Sequence, residues 1–471
     1  MNSTPSVVII GAGISGLCAA FWLKREGAKV LVLEEQMQPG GTIRTLHDRG
    51  WLVESGPNSA LETTPLFSEM FEALDITRER VYADSSSDNR YILKGGSLRP
   101  LPMSPGAFLS TDLWSLRGKL RVLAEPFIGR PEQEESIAQF VTRRLGKEFL
   151  DYAINPFVAG VYAGNPEDLS VRAAFPKLYA LEEKYGGLVK GMIRGARERK
   201  RRAEKAKDRA KMFSFVDGMQ TFPRAIAKAL GDSVILGSRV AGLGSASRTR
   251  RARGARFSIT YVRKNRTTRV RADAVVVATP AHAAAGLTEE IVPLLGQQLR
   301  RVYYPPVAEV FLGFREEQIG RALDGFGFLV PARERRRILG TIWSSTLFPG
   351  RAPKGHVALT TFVGGSRQPE VLRMSDKQLV VTVAEELQQL MGADGRPTYS
   401  KVVRWDKAIP QYTMGYQSIL DAVERAEAEV PGLFFCANFR GGIAVGDCVM
   451  SGRRTAELIL HRTGGMFHGS K

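Results

Sequence analysis

A glycine-rich turn near the start of the chain limits the possible folds more than any other feature. Three glycines, Gly11, Gly13 and Gly16, stand between an apolar segment that predicts a strand, Ser6–Ile10, and one that predicts a helix, Ser15–Arg25. A second predicted strand follows and ends in an acid. This order predicts a βαβ unit. The first glycine permits the tight turn, the second lets the backbone approach a pyrophosphate, and the third allows close packing.

The turn therefore predicts a dinucleotide site. We expect the turn and the first residues of the helix to contact the phosphates, through Gly11, Ala12, Gly13, Ile14, Ser15 and Gly16. Glu34, at the end of the predicted strand Lys29–Glu34, is expected to accept hydrogen bonds from a ribose diol. NAD and FAD both use such a unit, so the turn alone leaves the cofactor open.

The end of the chain repeats the pattern of its beginning. A predicted strand, Leu433–Cys436, is followed by a glycine-rich turn at 441–446 and a predicted helix, Val449–His461. Both ends would then belong to one nucleotide-binding fold, and the residues between them would be insertions.

The positive charge is confined to two segments. The chain of 471 residues has a formal net charge of +19, and residues 190–211 and 248–271 together carry +18 of it. These runs hold few of the aromatic residues typical of nucleic-acid binding, only Phe257 and Tyr261 in the second, so we expect no nucleic-acid partner. A solvated face or contact with an anionic membrane surface fits them better.

Cysteine and histidine are too few and too scattered for a disulfide framework or a metal site. The three cysteines are Cys18, Cys436 and Cys448, and the five histidines show no ligand spacing. We expect no metal and a reducing compartment, either cytoplasmic or organelle-facing. The apolar run Val7–Leu23 is interrupted by the three glycines, so it predicts a buried strand and helix rather than a membrane span.

Four further motifs favour FAD over NAD. The segment 40–45 resembles the second nucleotide motif of the glutathione reductase-like FAD family, and 54–59 resembles the turn beside the flavin in its amine oxidase branch. The segment 274–280 is similar to an FAD-associated strand that ends in Ala-Thr-Pro, and 441–446 opens the last helix. The resemblance implies that FAD, bound non-covalently, is contacted by Gly41, Thr42, Ile43, Arg44, Gly56, Pro57, Asn58, Ser59, Thr279, Ile443, Ala444 and Val445.

The chain resembles the protoporphyrinogen oxidase family, most closely its plant mitochondrial type, over nearly its whole length. The segments that carry the resemblance are Asn89–Ile92, Asp151–Gly160, Phe213–Phe222, Gly325–Pro331, Thr360–Arg367 and Pro431–Phe435. The resemblance implies that Val240 meets the adenine through its backbone and that Trp405 lies near the flavin.

The same resemblance implies the substrate residues. Arg90 would pair with a propionate of the tetrapyrrole, since a guanidinium fork binds a carboxylate through two hydrogen bonds. Leu329, Ile342 and Phe362 would sandwich the macrocycle, and Gly164 would face the reacting carbon.

Two positions depart from the family pattern. Ile342 stands where the plant form has Leu, which changes the shape of the pocket slightly. Ala437 stands where the family usually has Gly, and its methyl group bears on how FAD packs there.

The implied reaction is an FAD-dependent oxidation of protoporphyrinogen IX to protoporphyrin IX. It would remove six electrons in three rounds, with O₂ as the electron acceptor. The flavin carries the redox chemistry, so no catalytic side chain is required, and the proton acceptor stays open. Oxidation of coproporphyrinogen III, a flavin amine oxidase and a non-enzymatic FAD-binding membrane scaffold are the alternatives. A homodimer is left open.

The implied fold class is α/β: a Rossmann-like FAD-binding fold with an inserted α+β substrate domain and a mainly helical, membrane-associating insertion. The FAD-binding domain would comprise residues 1–84, 213–300 and 405–471. Residues 85–212 would form the mainly helical domain, which gives membrane contact and substrate access. Residues 301–404, with parts of 60–95, would bind the substrate.

Peripheral attachment to a membrane is the remaining expectation. Helical patterns over Asp112–Ile128, Ser136–Leu150 and Val171–Gly195 dominate the middle of the chain, and the first of them is amphipathic. The basic run 194–211 could meet anionic headgroups. The alternative is that Leu113, Leu116, Leu120 and Leu123 are ordinary core and that the basic run is a solvated loop.

Overall fold

A parallel sheet joins the two ends of the chain. The structure is a computed structural model that describes residues 6–84, 89–131, 133–191, 194, 210–245 and 256–463. Neighbouring strands of this five-stranded sheet are all parallel, and their order is Val234–Ile235, Lys29–Leu33, Ser6–Ile10, Ala274–Val277 and Leu433–Phe435. The prediction that both ends of the chain enter one sheet is therefore confirmed.

The central strands are runs of Val and Ile because both faces of the sheet are buried. Alternate residues of Ser6–Ile10 enter different hydrophobic clusters, with Val8 and Ile10 in one and Val7 and Ile9 in the other. This burial leaves the ends of the strands as the place where the sheet can meet a ligand.

The helices that follow the first and last strands pack directly against each other. They span Ile14–Arg25 and Val445–Thr463, so the second begins four residues before the predicted Val449. Gly452 allows their backbones to touch, since a β-carbon there would lie 2.8 Å from the Ser15 carbonyl oxygen.

A seven-stranded sheet forms the second large unit. Its strand order is Tyr399–Trp405, Val307–Arg315, His356–Gly364, Gly340–Ile342, Gly325–Leu329, Asn89–Lys94 and Ser97–Pro100. The predicted helix Asp376–Met391 is observed with the same bounds, and it packs its apolar side on one face of this sheet. Ser375 and Gln378 cap it reciprocally at its N-terminus.

Smaller sheets and helices connect these two units. The small strands are Thr45–Asp48 with Trp51–Glu54, Ala60–Leu61 with Met212–Phe215 and Arg80–Tyr82, and Ser238–Ser245 with Phe257–Arg263 and Arg266–Ala272. Other helices are Leu66–Ala73, Thr221–Leu230, Ala281–Thr288, Pro293–Arg300, Ser344–Leu347 and Gln417–Glu429. The described part of the second basic run, 256–271, forms a hairpin that turns at two left-handed residues, Lys264 and Asn265.

The mainly helical stretch begins later than the sequence predicts. Residues 89–100 form two strands of the seven-stranded sheet, so within 85–212 the helices start only after Pro100. The helices there are Pro105–Ser110, Leu116–Leu123, Ile137–Leu145, Lys147–Phe149, Asn155–Tyr162, Val171–Ala174 and Pro176–Tyr185, with a π-turn at Leu150–Ile154.

Three predicted helices are shorter than expected. Within Asp112–Ile128 only Leu116–Leu123 is α-helical, because Leu113 and Trp114 turn into the core before Ser115 caps the helix. Gly146, in a left-handed conformation, interrupts Ser136–Leu150, and Pro176 divides Val171–Gly195. Residues 192–193 and 195–209, which include most of the first basic run, lie outside the described residues.

A buried ion-pair network holds these helices together. Arg144, fully buried, donates to Glu125 at 3.0 Å and also pairs with Glu182, and Arg143 pairs with Glu182 and Glu135. The Glu125 carboxylate also accepts the backbone N–H of Leu188 at 2.7 Å. Among the described residues, no helix is long and apolar enough to cross a membrane.

Candidate active site

The first glycine turn lies at the carboxyl edge of the parallel sheet. The Gly11 N–H donates to the Leu33 carbonyl at 2.8 Å, and Gly11 has φ +107°. A β-carbon on Gly11 would stand 2.8 Å from the Ala278 carbonyl oxygen, so this backbone conformation and this contact both require glycine. The turn is thereby fixed against the neighbouring strand before any ligand binds.

Gly13 faces open space. A β-carbon at Gly13 would meet no protein atom within 4 Å, although the residue directly precedes the helix Ile14–Arg25. Beside the turn, the buried hydroxyl of Thr279 has no hydrogen-bond partner among the described residues. An anion held at the helix N-terminus would occupy such a space and satisfy such a donor.

Glu34 is held in place by backbone N–H groups. Its Oε2 accepts from Ala12 at 2.6 Å and its Oε1 accepts from Gln36 at 2.8 Å. A carboxylate has about four acceptor positions, so about two remain for a ribose diol. The Ser238 N–H donates to the Glu34 carbonyl at 2.7 Å, and the Ser238 hydroxyl is buried without a described partner. Val240, half-buried, lies two residues further along that strand.

The second glycine turn packs on the first. The Gly40 N–H donates to the Ala12 carbonyl at 2.8 Å, and the Arg44 guanidinium donates to the Gly41 carbonyl at 2.9 Å. A β-carbon on Gly41 would lie 3.3 Å from the Gly13 Cα. The two predicted motifs thus form one surface.

The residues between and after these turns differ in exposure. The side chain of Ile43 is buried in the core below, whereas Thr42 is exposed and its carbonyl lies against Gly56. The predicted flavin neighbours Pro57, Asn58 and Ser59 are half-buried.

The C-terminal turn is fastened by a tyrosine that the sequence reading missed. The Tyr412 hydroxyl donates to the Asn438 carbonyl at 2.5 Å and accepts the Gly442 N–H at 3.1 Å. Ile443 is half-buried and Ala444 exposed just before the last helix, which starts at Val445. Ala437 is buried in a hydrophobic cluster, so its methyl group packs into the protein core.

Strand register brings the three apolar substrate residues together. Leu329 lies opposite Gly340, Gly340 lies opposite Phe362, and Ile342 lies opposite Gly327. Directly paired residues share a face and the side chains alternate along a strand, so Leu329, Ile342 and Phe362 share one face of the seven-stranded sheet. All three are half-buried.

Arg90 belongs to the same face. Side chains alternate along its strand, and Tyr91 and Leu93 lie on the opposite side, in the core under the helix Asp376–Met391. The Arg90 side chain is exposed, 5.8 Å from the centroid of the Phe326 ring, and it makes no ion pair with the described residues. It is therefore free to bind a carboxylate.

The helix Asn155–Tyr162 covers this face and carries Gly164 just beyond its end. A β-carbon on Gly160 would collide with the Leu329 side chain, and Phe362 packs beside Ala159 in the cluster below the helix. Gly164 is buried, and a β-carbon there would collide with the Gln411 side chain. Leu329 and Phe362 thus both lie against this helix, and Gly164 follows just beyond its end.

Trp405 joins the sheet face to the cofactor edge. Its indole N–H donates to the Ser55 carbonyl at 2.9 Å, and the Arg44 guanidinium lies 5.5 Å from its ring centroid. Trp405 pairs with Val307, and Glu309 is two residues along the same strand.

Two buried acids stand near this junction. Glu54 accepts from the Met219 N–H at 2.8 Å and from the Thr45 hydroxyl at 2.7 Å, and burial raises its pKa from 4.5 to about 7. Burial also raises the pKa of Glu309 well above its usual range, with a further contribution from the charge of Glu54.

These observations fit a bound FAD. The glycine turns allow the backbone to approach a ligand closely, and the space at Gly13 lies at a helix N-terminus. The buried hydroxyls of Thr279 and Ser238 have no hydrogen-bond partner among the described residues, and a ligand could supply one. Among the described residues, no group of three or more His, Cys, Asp or Glu is arranged to hold a metal ion.

Comparisons with known proteins agree with this geometry. Residues 14–460 match the family model of flavin-containing amine oxidoreductases. The mitochondrial protoporphyrinogen oxidase of Nicotiana tabacum is 36% identical, over 98% of this chain and 95% of its own length. The coproporphyrinogen III oxidase of Bacillus subtilis is 28% identical, over 96% of this chain and 97% of its own. A crystal structure of a candidate protoporphyrinogen oxidase from Exiguobacterium sp. 255-15 superposes with a TM-score of 0.78 at 23% identity, covering 98% of this chain and 99% of the other.

The chain belongs to the flavin-containing amine oxidoreductase family, in its protoporphyrinogen oxidase branch.

As a member of this family the protein is an FAD-dependent oxidoreductase with a mixed α/β fold. Two groups at its site were not predicted from the sequence, Glu309 and Tyr412. A lone acid within the apolar strand Val307–Arg315 was a visible signal for the first. The role of Tyr412 depends on hydrogen bonds to residues about thirty positions away, which no local pattern reveals.

Proposed function

We propose that the protein oxidises protoporphyrinogen IX to protoporphyrin IX, with O₂ as the acceptor for the six electrons. The observation that carries the proposal is the apolar face formed by Leu329, Ile342 and Phe362. The same face carries Arg90, a cation without an ion-pair partner among the described residues. Such a face suits a large, flat, apolar ring that bears a few carboxylates. It also reaches the predicted flavin position through Trp405 and Ser55.

The side chains would bind and orient the substrate while the cofactor supplies the redox chemistry. FAD, when bound, takes two electrons in each round of oxidation. Arg90 would fix one propionate, and the helix Asn155–Tyr162 would keep water from the ring. The cofactor residues proposed from the sequence would hold FAD at the carboxyl edge of the parallel sheet, with Glu34 at the ribose and Val240 at the adenine.

Coproporphyrinogen III is the second candidate substrate, because a coproporphyrinogen III oxidase is among the relatives. A cavity of about 400 Å³ bears on the choice, since its lining includes Asn165, which follows Gly164 in sequence, and four charged residues, Lys147, Arg333, Asp151 and Glu167. Both cations pair with Asp151, and Glu167 supplies a second negative charge, so the lining adds no net positive charge for extra carboxylates. This balance favours the substrate with fewer carboxylates.

Anaerobic addition of each porphyrinogen to the FAD-loaded protein tests the proposal. We expect protoporphyrinogen to bleach the flavin absorbance faster than coproporphyrinogen does, and admission of O₂ to restore it with release of H₂O₂. Faster bleaching by coproporphyrinogen would reverse the substrate assignment. Bleaching by an alkylamine alone would favour an amine oxidase, and no bleaching by any of them would favour a non-enzymatic scaffold.

Contact with a membrane surface is the second part of the proposal. Leu116, Leu120 and Leu123 recur at i, i+4 and i+7 on one helix and are 73%, 56% and 60% exposed, and Phe127 beyond them is 89% exposed. Leu113, by contrast, is fully buried core. An exposed apolar row of this kind suits insertion at a lipid interface.

Residues that precede the exposed row in sequence pack toward the substrate face. Phe108 and Trp114 share a hydrophobic cluster with Ile92 and Leu329. The region after Pro100 would therefore form a path by which an apolar porphyrinogen passes between the membrane and the site.

Sedimentation with anionic liposomes tests the contact. Leu116→Ser, Leu120→Ser and Leu123→Ser together should release the protein into the supernatant. Leu294→Ser with Val381→Ser, at apolar side chains exposed elsewhere, is the matched control and should leave binding unchanged. Equal sedimentation of both variants would remove this row from the membrane contact.

A further inference from the structure

An acid on the substrate face has no assigned role. Glu309 lies in the middle of the strand Val307–Arg315, whose other buried residues are apolar or small. It is 5% exposed, and its Oε2 has no hydrogen-bond partner among the described residues. Since buried carboxyl oxygens are normally satisfied, this oxygen requires an explanation.

Glu309 points to the side where substrate and flavin are expected. It lies opposite Phe362 on one neighbouring strand and opposite Val403 on the other. Its neighbours Ala308 and Val310 belong to the core on the other side of the sheet. Because side chains alternate along a strand, Glu309 shares the face that carries Phe362 and Trp405.

The surroundings of Glu309 keep its carboxyl neutral. Burial raises the pKa of Glu309 most, and the charge of Glu54 raises it further. The nearby Trp405 indole, whose N–H donates to the Ser55 carbonyl, lowers the pKa by less than burial raises it. Among the described residues, no cation lowers the pKa of Glu309. The carboxyl is therefore protonated well above the pH at which an exposed glutamate ionises.

A structural role does not account for this residue. A buried polar group with an unmade hydrogen bond destabilises a fold, and an apolar side chain of similar size would pack there without that cost. Glu54 provides the contrast, since both of its oxygens have partners that tie the Thr45–Asp48 hairpin to Met219.

We propose that Glu309 is a proton-carrying residue of the flavin site. A hydride brings one proton and two electrons, so its arrival adds one negative charge to the site. Transfer of the Oε2 proton toward that charge neutralises it and leaves the Glu309 carboxylate. The carboxylate then takes a proton from water, so each pair of electrons draws two protons into the site. The inference rests on bound FAD and is independent of which porphyrinogen is oxidised.

The experiment measures how fast protons are taken up when the flavin of the FAD-loaded protein is reduced rapidly by a chemical reductant, with a pH indicator in solution and no porphyrinogen. Glu309→Gln keeps the shape and a hydrogen-bond donor but carries no transferable proton. We expect the second proton of each two-electron reduction to be taken up at least about tenfold more slowly in this variant than in the wild type. The matched control Glu54→Gln, at a buried acid with both oxygens satisfied, should keep the wild-type rate.

A second readout excludes a merely structural effect. Infrared difference spectra on reduction should show a carboxylic acid band that changes in the wild type and in Glu54→Gln but is lost in Glu309→Gln. FAD content and the unfolding transition of each variant are measured alongside. The proposal is overturned if Glu309→Gln binds FAD and still takes up the second proton at the wild-type rate, or if the band persists in it.

Discussion

The two large sheets present their functional residues in different ways. The five-stranded parallel sheet is buried on both faces, so its predicted cofactor contacts lie at its carboxyl edge and come mainly from backbone in glycine turns. The seven-stranded sheet has one face covered by the helix Asp376–Met391, and its other face carries Arg90, Glu309 and Phe362. The comparison shows that a local sequence motif can specify contacts at the edge of a sheet. Residues that share a face of a sheet are brought together only by the register of its strands.

The largest expected effect tests whether the edge depends on backbone geometry. Gly11→Ala combines a positive φ with a close contact at the Ala278 carbonyl, and it should lower the free energy of unfolding by about 2–5 kcal/mol. Gly13→Ala meets open space, so its apoprotein should unfold like the wild type while FAD binds at least about tenfold more weakly. Urea unfolding of the apoproteins and FAD titration measure the two effects. Equal stability loss in both variants would mean that Gly13 is structural.

The second effect contrasts the two faces within one strand. Leu359 is fully buried on the face that the helix Asp376–Met391 covers. Leu359→Ala should therefore lower the free energy of unfolding by about 2–5 kcal/mol. Phe362→Ala, on the face beneath the helix Asn155–Tyr162, should cost much less stability but raise KM for the porphyrinogen. Denaturant unfolding and steady-state kinetics separate these outcomes. A KM unchanged in Phe362→Ala would remove that residue from the substrate face.

The third effect concerns the junction between the two sheets, where Glu54 is buried. Its pKa of about 7 exceeds the ordinary 4.5, so between these values the folded state binds more protons than the unfolded state. The free energy of unfolding should therefore fall as the pH rises through this window, by about 3 kcal/mol in total. Glu54→Gln should remove this dependence, which urea unfolding at about pH 5 and about pH 8 would reveal. Parallel pH profiles for both proteins would contradict it.

The smallest effect tests Arg90, the cation on the substrate face of the seven-stranded sheet. Arg90→Ala should raise KM for protoporphyrinogen about tenfold, a loss of about 1.5 kcal/mol, with little change in reoxidation of the flavin by O₂. Arg90→Lys should recover part of the loss, because an ammonium lacks the planar fork. Steady-state kinetics of each variant measure these changes in KM. An unaltered KM in Arg90→Ala would mean that another residue binds the substrate carboxylate.

The edge was largely predictable from local motifs. The residues of the face came only from the family resemblance, which named Arg90, Leu329, Ile342 and Phe362, and Glu309 was not predicted. The segments around Gly11, Gly40 and Gly442 are local motifs, so their strands and turns could be located before the structure. Glu309 and Phe362 become neighbours only through pairing of strands about fifty residues apart, which no local pattern specifies. The strand Ser238–Ser245 was missed because its polar residues and glycines resemble a loop.

The placement of Ser6–Ile10 and Leu433–Phe435 in one sheet also affects how the protein is made. The strand Ser6–Ile10 leaves the ribosome long before Leu433–Phe435, yet its sheet is complete only when the latter has been synthesised. At ordinary rates of translation this takes roughly 20–90 s. During that interval the apolar segment 14–23, buried on every side in the finished molecule, lacks its partner helix Val445–Thr463. The nascent chain is therefore expected to need chaperone protection, and FAD can bind its complete site only after Val445–Thr463 has been synthesised.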